Sequence, residues 1–189
     1  MTRDAVGEMP STPKPQFDDW NIAYEEFLYK KALEMNAQLV YEVGVREGYS
    51  TVAILQALEQ TGGRMISCDI QDYRQNIHAG RPIVSDRWTF IQIDSIHFPA
   101  YLDEEADMIY IDGDHSYGAV RSDVIKLWPF LKVGGQMVLD DVQTFPHGPG
   151  EIMKRLQGAG LDAYSEPVAN TFGIIHKRDN DPNSLEGVI

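Results

Sequence analysis

Apolar residues along this chain alternate between two spacings. From Asp19 to Asn36, Trp20, Phe27, Leu28 and Met35 recur at the interval of a helix face. LVYEVG (Leu39 to Gly44) is a short unbroken apolar run dense in β-formers, and a helix is predicted after it from about Ser50 to Gln60. RMISCDI, following the turn signal Gly62-Gly63, reads as a second strand. TFIQID (Thr89 to Asp94) and DMIYID (ending at Asp112) read as a third and a fourth. A helix with Val120, Val124, Leu127 and Trp128 on one face comes next. Gly134-Gly135 is then read as a turn into the fifth strand, QMVLDD. A helix around Glu151 to Ala159 and strands near Asp162 to Pro167 and Thr171 to His176 complete the pattern.

Strands alternating with helices imply an α/β fold, a mainly parallel sheet covered on both faces. Only Val168 to Asn170 separates the last two strands, which permits a hairpin but no helical crossover, so one terminal strand runs antiparallel. Residues 1–17 hold three prolines and few large apolar groups and read as a flexible arm; residues 179–189 read as a flexible tail. One domain, 18–178, lies between them. In such a sheet, ligands bind at the carboxyl ends of the strands. Glu42, Asp69, Asp94, Asp112 and the pair Asp140-Asp141 each end one of the first five strands. Any one of them has a plainer reading as a turn or cap residue. An acid at every strand end points to a site.

Charge narrows the ligand. The formal net charge is −13 and no basic cluster interrupts the acids, which disfavours nucleic acid and an anionic membrane surface as partners. A neutral or cationic small molecule, or a metal, suits this chain better. The single cysteine, Cys68, cannot form an internal disulfide and reads as a small filler at a strand end, consistent with a reducing compartment. The N-terminal stretch lacks an apolar signal core and no run approaches a bilayer span, so a cytoplasmic location is expected.

In YEVGVREGYST, Gly44 lets the backbone turn beside a ligand and Gly48 allows close approach. Ser50 opens a helix whose first amides suit a carboxylate. The glycines are four apart and Arg46 stands between them, so this is not the dinucleotide pattern G-x-G-x-x-G. Asp69 matches the placement of an acid that accepts from ribose hydroxyls, and Asp94 with Ser95 could meet an adenine edge.

With IDGDHSY and VLDD added, these segments resemble class I S-adenosylmethionine-dependent methyltransferases. They are most similar to the divalent-metal small-molecule O-methyltransferases of the catechol and macrolide-sugar type. The resemblance spans roughly residues 38–178. It implies a three-layer, doubly wound (Rossmann-like) seven-stranded sheet with the last strand reversed. It also implies that Glu42 and Asp69 serve the ribose region, Gly44 and Ser50 the methionine end, and Asp94 and Ser95 the adenine side, with Gly48 and Asp112 also among the cofactor-binding residues. A homodimer is compatible with it.

If the fourth and fifth strands are neighbours, Asp112, Asp140 and Asp141 converge in one cleft. Carboxylates without thiolates or a histidine pair favour a hard cation, Mg²⁺ first. A hydroxyl bound there becomes more acidic. His115, three residues after Asp112, can reach the same cleft and is suited to removing the proton near neutral pH. A histidine plays that part in the macrolide-sugar relatives and a lysine in the catechol enzymes. His147, in the FPHGPG segment beyond Asp141, is a candidate for the cleft wall. The expected activity is O-methylation of a sugar or vicinal diol. A hydroxylase or other nucleotide-cofactor enzyme on the same scaffold, and a non-catalytic cofactor-binding protein, are the alternatives.

Overall fold

The structure, a computed structural model, describes residues 22–74, 83–168, 172–179, 181–182 and 184–189. The arm expected at 1–17 lies outside them. Helix α1 (Ile22–Glu34) leads into β1 (Leu39–Val43), α2 (Tyr49–Thr61), β2 (Arg64–Asp69), β3 (Trp88–Gln92) and β4 (Ala106–Ile111). Then come α3 (Tyr117–Leu127), β5 (Leu131–Leu139), α4 (Pro149–Gly158), β6 (Asp162–Glu166) and β7 (Phe172–His176). The strands form one seven-stranded sheet in the order β3-β2-β1-β4-β5-β7-β6. Only β7 is reversed, antiparallel to both β5 and β6. The short β6–β7 link forces that hairpin.

Period-two alternation sorts the strands onto two faces. Tyr41, Ile109, Met137 and Ile175 are register partners across four strands and pack with α3 and α4. One position along, Tyr110, Val138 and Ile174 face α1 and α2. The result is three layers. Two positions along from the α3–α4 set, Val43 and Ile111 end their strands side by side, where the loops that carry the site begin.

Two expectations are corrected. Gly134-Gly135 do not precede β5 but sit inside it, where the pairing register with β4 shifts and Gly134 adopts a positive φ of 83°. A bulge, not a turn, absorbs them. The tail is not loose either: Leu185 is 0% and Ile189 5% exposed, both in the cluster with α3 and α4. The buried indole of Trp128 fixes this segment by donating Nε1–H to the Pro182 carbonyl, 2.8 Å away. Among the described residues, no helix is long and apolar enough to cross a membrane.

Candidate active site

Successive connections leave β1 toward β2 on one side and enter β4 on the other, so strand order reverses between β1 and β4. At that crevice an open α/β sheet takes its ligands. Two cavities open there, of about 430 Å³ and about 220 Å³. Asp112 and Arg46 line both.

The larger cavity runs over the ends of β3, β2, β1 and β4. Gly44 forms part of its floor with φ 88°, and a Cβ there would stand 2.1 Å from the Asp112 carbonyl oxygen. Only glycine lets the two loops approach so closely. Asp69 lines the cavity while its Oδ2 accepts from the amides of Val45 (2.8 Å) and Arg46 (3.3 Å), fastening the loop after β1. Asp94 and Ser95 line the far end. Asp94 Oδ1 accepts from the Ile96 amide at 3.0 Å, capping a 3-10 helix (Ser95–Tyr101). Cys68 is buried in the wall and burial pushes its thiol far up, so it carries no reactive thiolate.

The smaller cavity gathers Gly48, Ser50, Asp112, His115, Asp140 and Asp141, with Tyr24 of α1 as a further wall. His115 Nε2 lies 3.3 Å from Asp112 Oδ1 and 3.6 Å from Asp141 Oδ2, within ion-pair distance but without an aligned hydrogen bond. Its ring stacks on Phe145, centroids 4.5 Å apart. The Asp112 carboxylate, more than any other group, raises the imidazole pKa. The acids repel one another in turn. Burial, then its neighbours Asp112 and Asp141, push Asp140 up to about 7, and Asp112 is raised mainly by burial.

Asp140 Oδ1 and Asp141 Oδ1 are buried without a hydrogen-bond partner. An all-oxygen donor set with orphaned lone pairs fits a hard divalent cation chemically. Among the described residues, however, no three such side chains already close on one point. Asp141 and Arg46 are two of the three described non-glycine residues with positive φ, at 54° and 44°, and both line the cavities. Strain of this kind concentrates at working sites.

The predicted ribose ligand Glu42 is not at the cavity surface. It pairs with Tyr110 across β1 and β4, so its side chain points under α2, 0% exposed. There Oε1 accepts from Ser50 (2.7 Å) and Oε2 from Thr51 (2.8 Å) and Ser67 (2.6 Å). Ser50 still borders the smaller cavity, but its hydroxyl proton is directed to Glu42. His147 is exposed and borders neither cavity; Phe145, two residues earlier, meets the site instead.

Sequence reasoning missed Tyr110 and Asp123. Tyr110 hydrogen-bonds Tyr24 and lies beside Asp112 and Asp140, lowering the pKa of both. Its spacing of two from Asp112 was the available signal. Asp123 falls in the apolar stripe of α3, between Val120 and Leu127, where an acid has no reason to be.

A family profile described as a methyltransferase domain matches residues 41–142. Among solved structures, cofactor-bound Rv0187 from MTB shares 18% identity at a TM-score of 0.68, covering 90% of this chain and 85% of that one. The Podospora anserina methyltransferase PaMTH1 with bound SAH has 16% identity and a TM-score of 0.64, covering 82% and 78%. MycE, of the mycinamycin biosynthetic pathway, was solved with Mg, SAH and mycinamycin VI. It has 18% identity and a TM-score of 0.62, covering 86% of this chain and 50% of its own. At such identities the likeness is one of fold. Among curated protein sequences, none matches the chain.

Proposed function

This chain belongs to the methyltransferase-domain family and is an S-adenosylmethionine-dependent methyltransferase; from that premise we propose that it methylates a hydroxyl oxygen of a small molecule with a divalent cation's help. The observation that carries the reading is Asp112, which forms wall in both cavities. It sets a larger chamber, sized for a nucleoside cofactor, against a smaller acidic one that holds, among the described residues, the one imidazole lining either cavity.

In the larger cavity, Asp69 would hold the ribose and Asp94 with Ser95 the adenine, above the loop of Gly44. In the smaller one, the acceptor hydroxyl lies against His115. His115 Nε2 takes the hydroxyl proton as the oxygen attacks; the new O–C bond forms as the C–S bond breaks. When bound, the cofactor would supply an electrophilic methyl on sulfur, with a neutral thioether as the leaving group. Asp112, Asp140 and Asp141 would hold the cation, Mg²⁺ by their oxygen chemistry, which supplies acidification of the acceptor and relief of acid–acid repulsion. Phe145 keeps the imidazole plane fixed. His115 must be neutral to accept a proton, so the rate falls as pH drops below its pKa. A sugar or vicinal diol is the acceptor class proposed, and the cytoplasm the setting, on the lone buried Cys68.

Calorimetry with S-adenosylhomocysteine, with and without MgCl₂, tests cofactor binding. A screen of sugar and catechol acceptors with labelled methyl donor tests transfer. With an active acceptor, His115→Ala is expected to lower kcat by roughly 10²–10⁴-fold. An unchanged rate in that variant removes the base assignment, and turnover indifferent to EDTA removes the cation.

A further inference from the structure

Glu42, sealed under α2, is an acid that the proposed reaction does not use, and its two carboxylate oxygens are loaded unequally. Oε2 accepts from both Thr51 (2.8 Å) and Ser67 (2.6 Å). Ser67 is held in turn by the Trp88 indole, whose Nε1–H donates to its hydroxyl at 2.9 Å. Among the described residues, Oε1 accepts only from Ser50, at 2.7 Å. Ser50 is 4% exposed, stands in the first turn of α2 and borders the smaller cavity. That turn starts from Gly48, which has no side chain to cap it, so the helix end itself favours an anion. One hydroxyl therefore separates a buried carboxylate from the cavity.

We propose that Glu42 is a positioning residue that frees the Ser50 proton for the carboxylate of the cofactor's amino-acid end, so that binding the cofactor draws a proton from solvent onto Glu42 Oε1. This rests on the methyltransferase reading above. A serine hydroxyl has one proton and two lone pairs. With that proton given to Glu42, Ser50 would meet a second carboxylate as acceptor against acceptor. With a proton on Oε1 the same contact runs the other way: Glu42 donates to Ser50 Oγ, and Ser50 turns its own proton to the cofactor. The Ser50 O–H bond stays intact, and the one proton gained comes from the buffer. Oε2, with two donors already on it, keeps both, so the asymmetry of the network selects which oxygen is protonated.

Burial brings this exchange to neutral pH: it raises Glu42 to about 7 against the pull of the three hydroxyls, and Asp112 adds to the rise. The titratable groups around Glu42 are Tyr24 of α1, Cys68 of β2, Tyr110 of β4 and Asp112 just beyond it. Burial keeps both phenols and the thiol neutral, which leaves Asp112 as the charge among them. A ligand that raises the proton affinity of Glu42 binds best when the proton is present, so cofactor affinity falls as pH rises from about 7.

Calorimetry of the full chain in EDTA, run in phosphate and in Tris at about pH 7.5, counts the protons that accompany S-adenosylhomocysteine binding. The wild type is expected to take up about half a proton, and its affinity to fall about threefold from about pH 7 to about pH 8. The decarboxylated analogue of that ligand, an aminopropyl thioether of adenosine, should bind with little uptake. Glu42→Gln can keep its amide oxygen on Thr51 and Ser67 and donate from its amide nitrogen to Ser50. It should bind S-adenosylhomocysteine without proton uptake and, at about pH 8, more tightly than the wild type, which a merely structural role would not produce. No uptake in the wild type, equal uptake with the decarboxylated ligand, or a Glu42→Gln protein with the wild-type uptake overturns the inference. If Glu42→Gln does not fold, Ser50→Ala decides the matter, since undiminished uptake without that hydroxyl overturns it equally. If the wild type binds neither ligand, the cofactor reading itself has failed and this inference with it.

Discussion

Single side chains at this site work through what they are made to lie against. Glu42 is the clearest case: desolvation raises its pKa from 4.5 to about 7, outweighing three hydroxyl hydrogen bonds that pull it down. The folded state then binds a proton that the unfolded state has released, so stability falls as pH rises from the unfolded value through about 7. The shift corresponds to a loss on the order of 3 kcal/mol across that window. Glu42→Gln should flatten this part of the stability profile, as chemical denaturation at several pH values would show. A variant with the wild-type slope would clear Glu42 of responsibility. At Gly44 the constraint is steric: Gly44→Ala forces β1 and β4 loops apart and should abolish S-adenosylhomocysteine binding by calorimetry before it abolishes folding.

At the scale of elements, the site depends on how helix starts are seated against loops. Gly148 precedes α4, and a Cβ there would stand 1.9 Å from the carbonyl oxygen of His115, a backbone atom that cannot swing aside. Gly148→Ala should therefore push the His115 loop. Displacing a reacting group by about an ångström costs roughly 10²-fold in rate. Cofactor affinity should fall less than the rate, because most of the larger cavity is lined from the ends of β1, β2 and β3 and only Asp112 to Asp114 come from this loop. Single-turnover rates and binding isotherms measured on the same preparation separate the two effects. The segment after β7 is likewise an integral element. Leu185→Ala should destabilise the fold by about 2–5 kcal/mol in denaturant titration, the usual result of emptying a core leucine site.

Over the whole molecule, the acids set a common trend. Glu42, Asp123 and Asp140 are all raised above their ordinary range, and His115 is raised as well. Each binds more proton in the folded state, so without a cation the protein should melt higher at about pH 6 than at about pH 8. Added Mg²⁺ should raise Tm most at the higher pH, where Asp140 is ionised, and EDTA should reverse it. A Tm that ignores Mg²⁺ across this range would count against the cation. The acidic balance of the chain, −13 overall, leaves Arg46 as the one lysine or arginine lining either cavity among the described residues.

What the sequence determined by itself was the alternation and its consequences. Apolar period two against period 3.6 specified strands and helices, the three-residue link between the last two strands demanded a hairpin, and acids at strand ends marked the ligand edge. Those features are local, and local sterics and burial suffice to write them. The tertiary structure decided where each acid points. Glu42 and Asp69 look alike as strand-terminal acids, yet Glu42 falls on the α2 face and is sealed by Ser50, Thr51 and Ser67, whereas Asp69 opens to the cavity. Tyr24 and Phe145 join the site only because packing brings distant segments together, and no spacing along one strand or helix encodes such a meeting. The tail went the same way: its polar composition suggested solvent, but a buried indole seeking an acceptor and a groove for Leu185 drew it in. Side-chain direction and desolvation are properties of the assembled fold, and they turn a row of carboxylates into ligands, caps and buried acids.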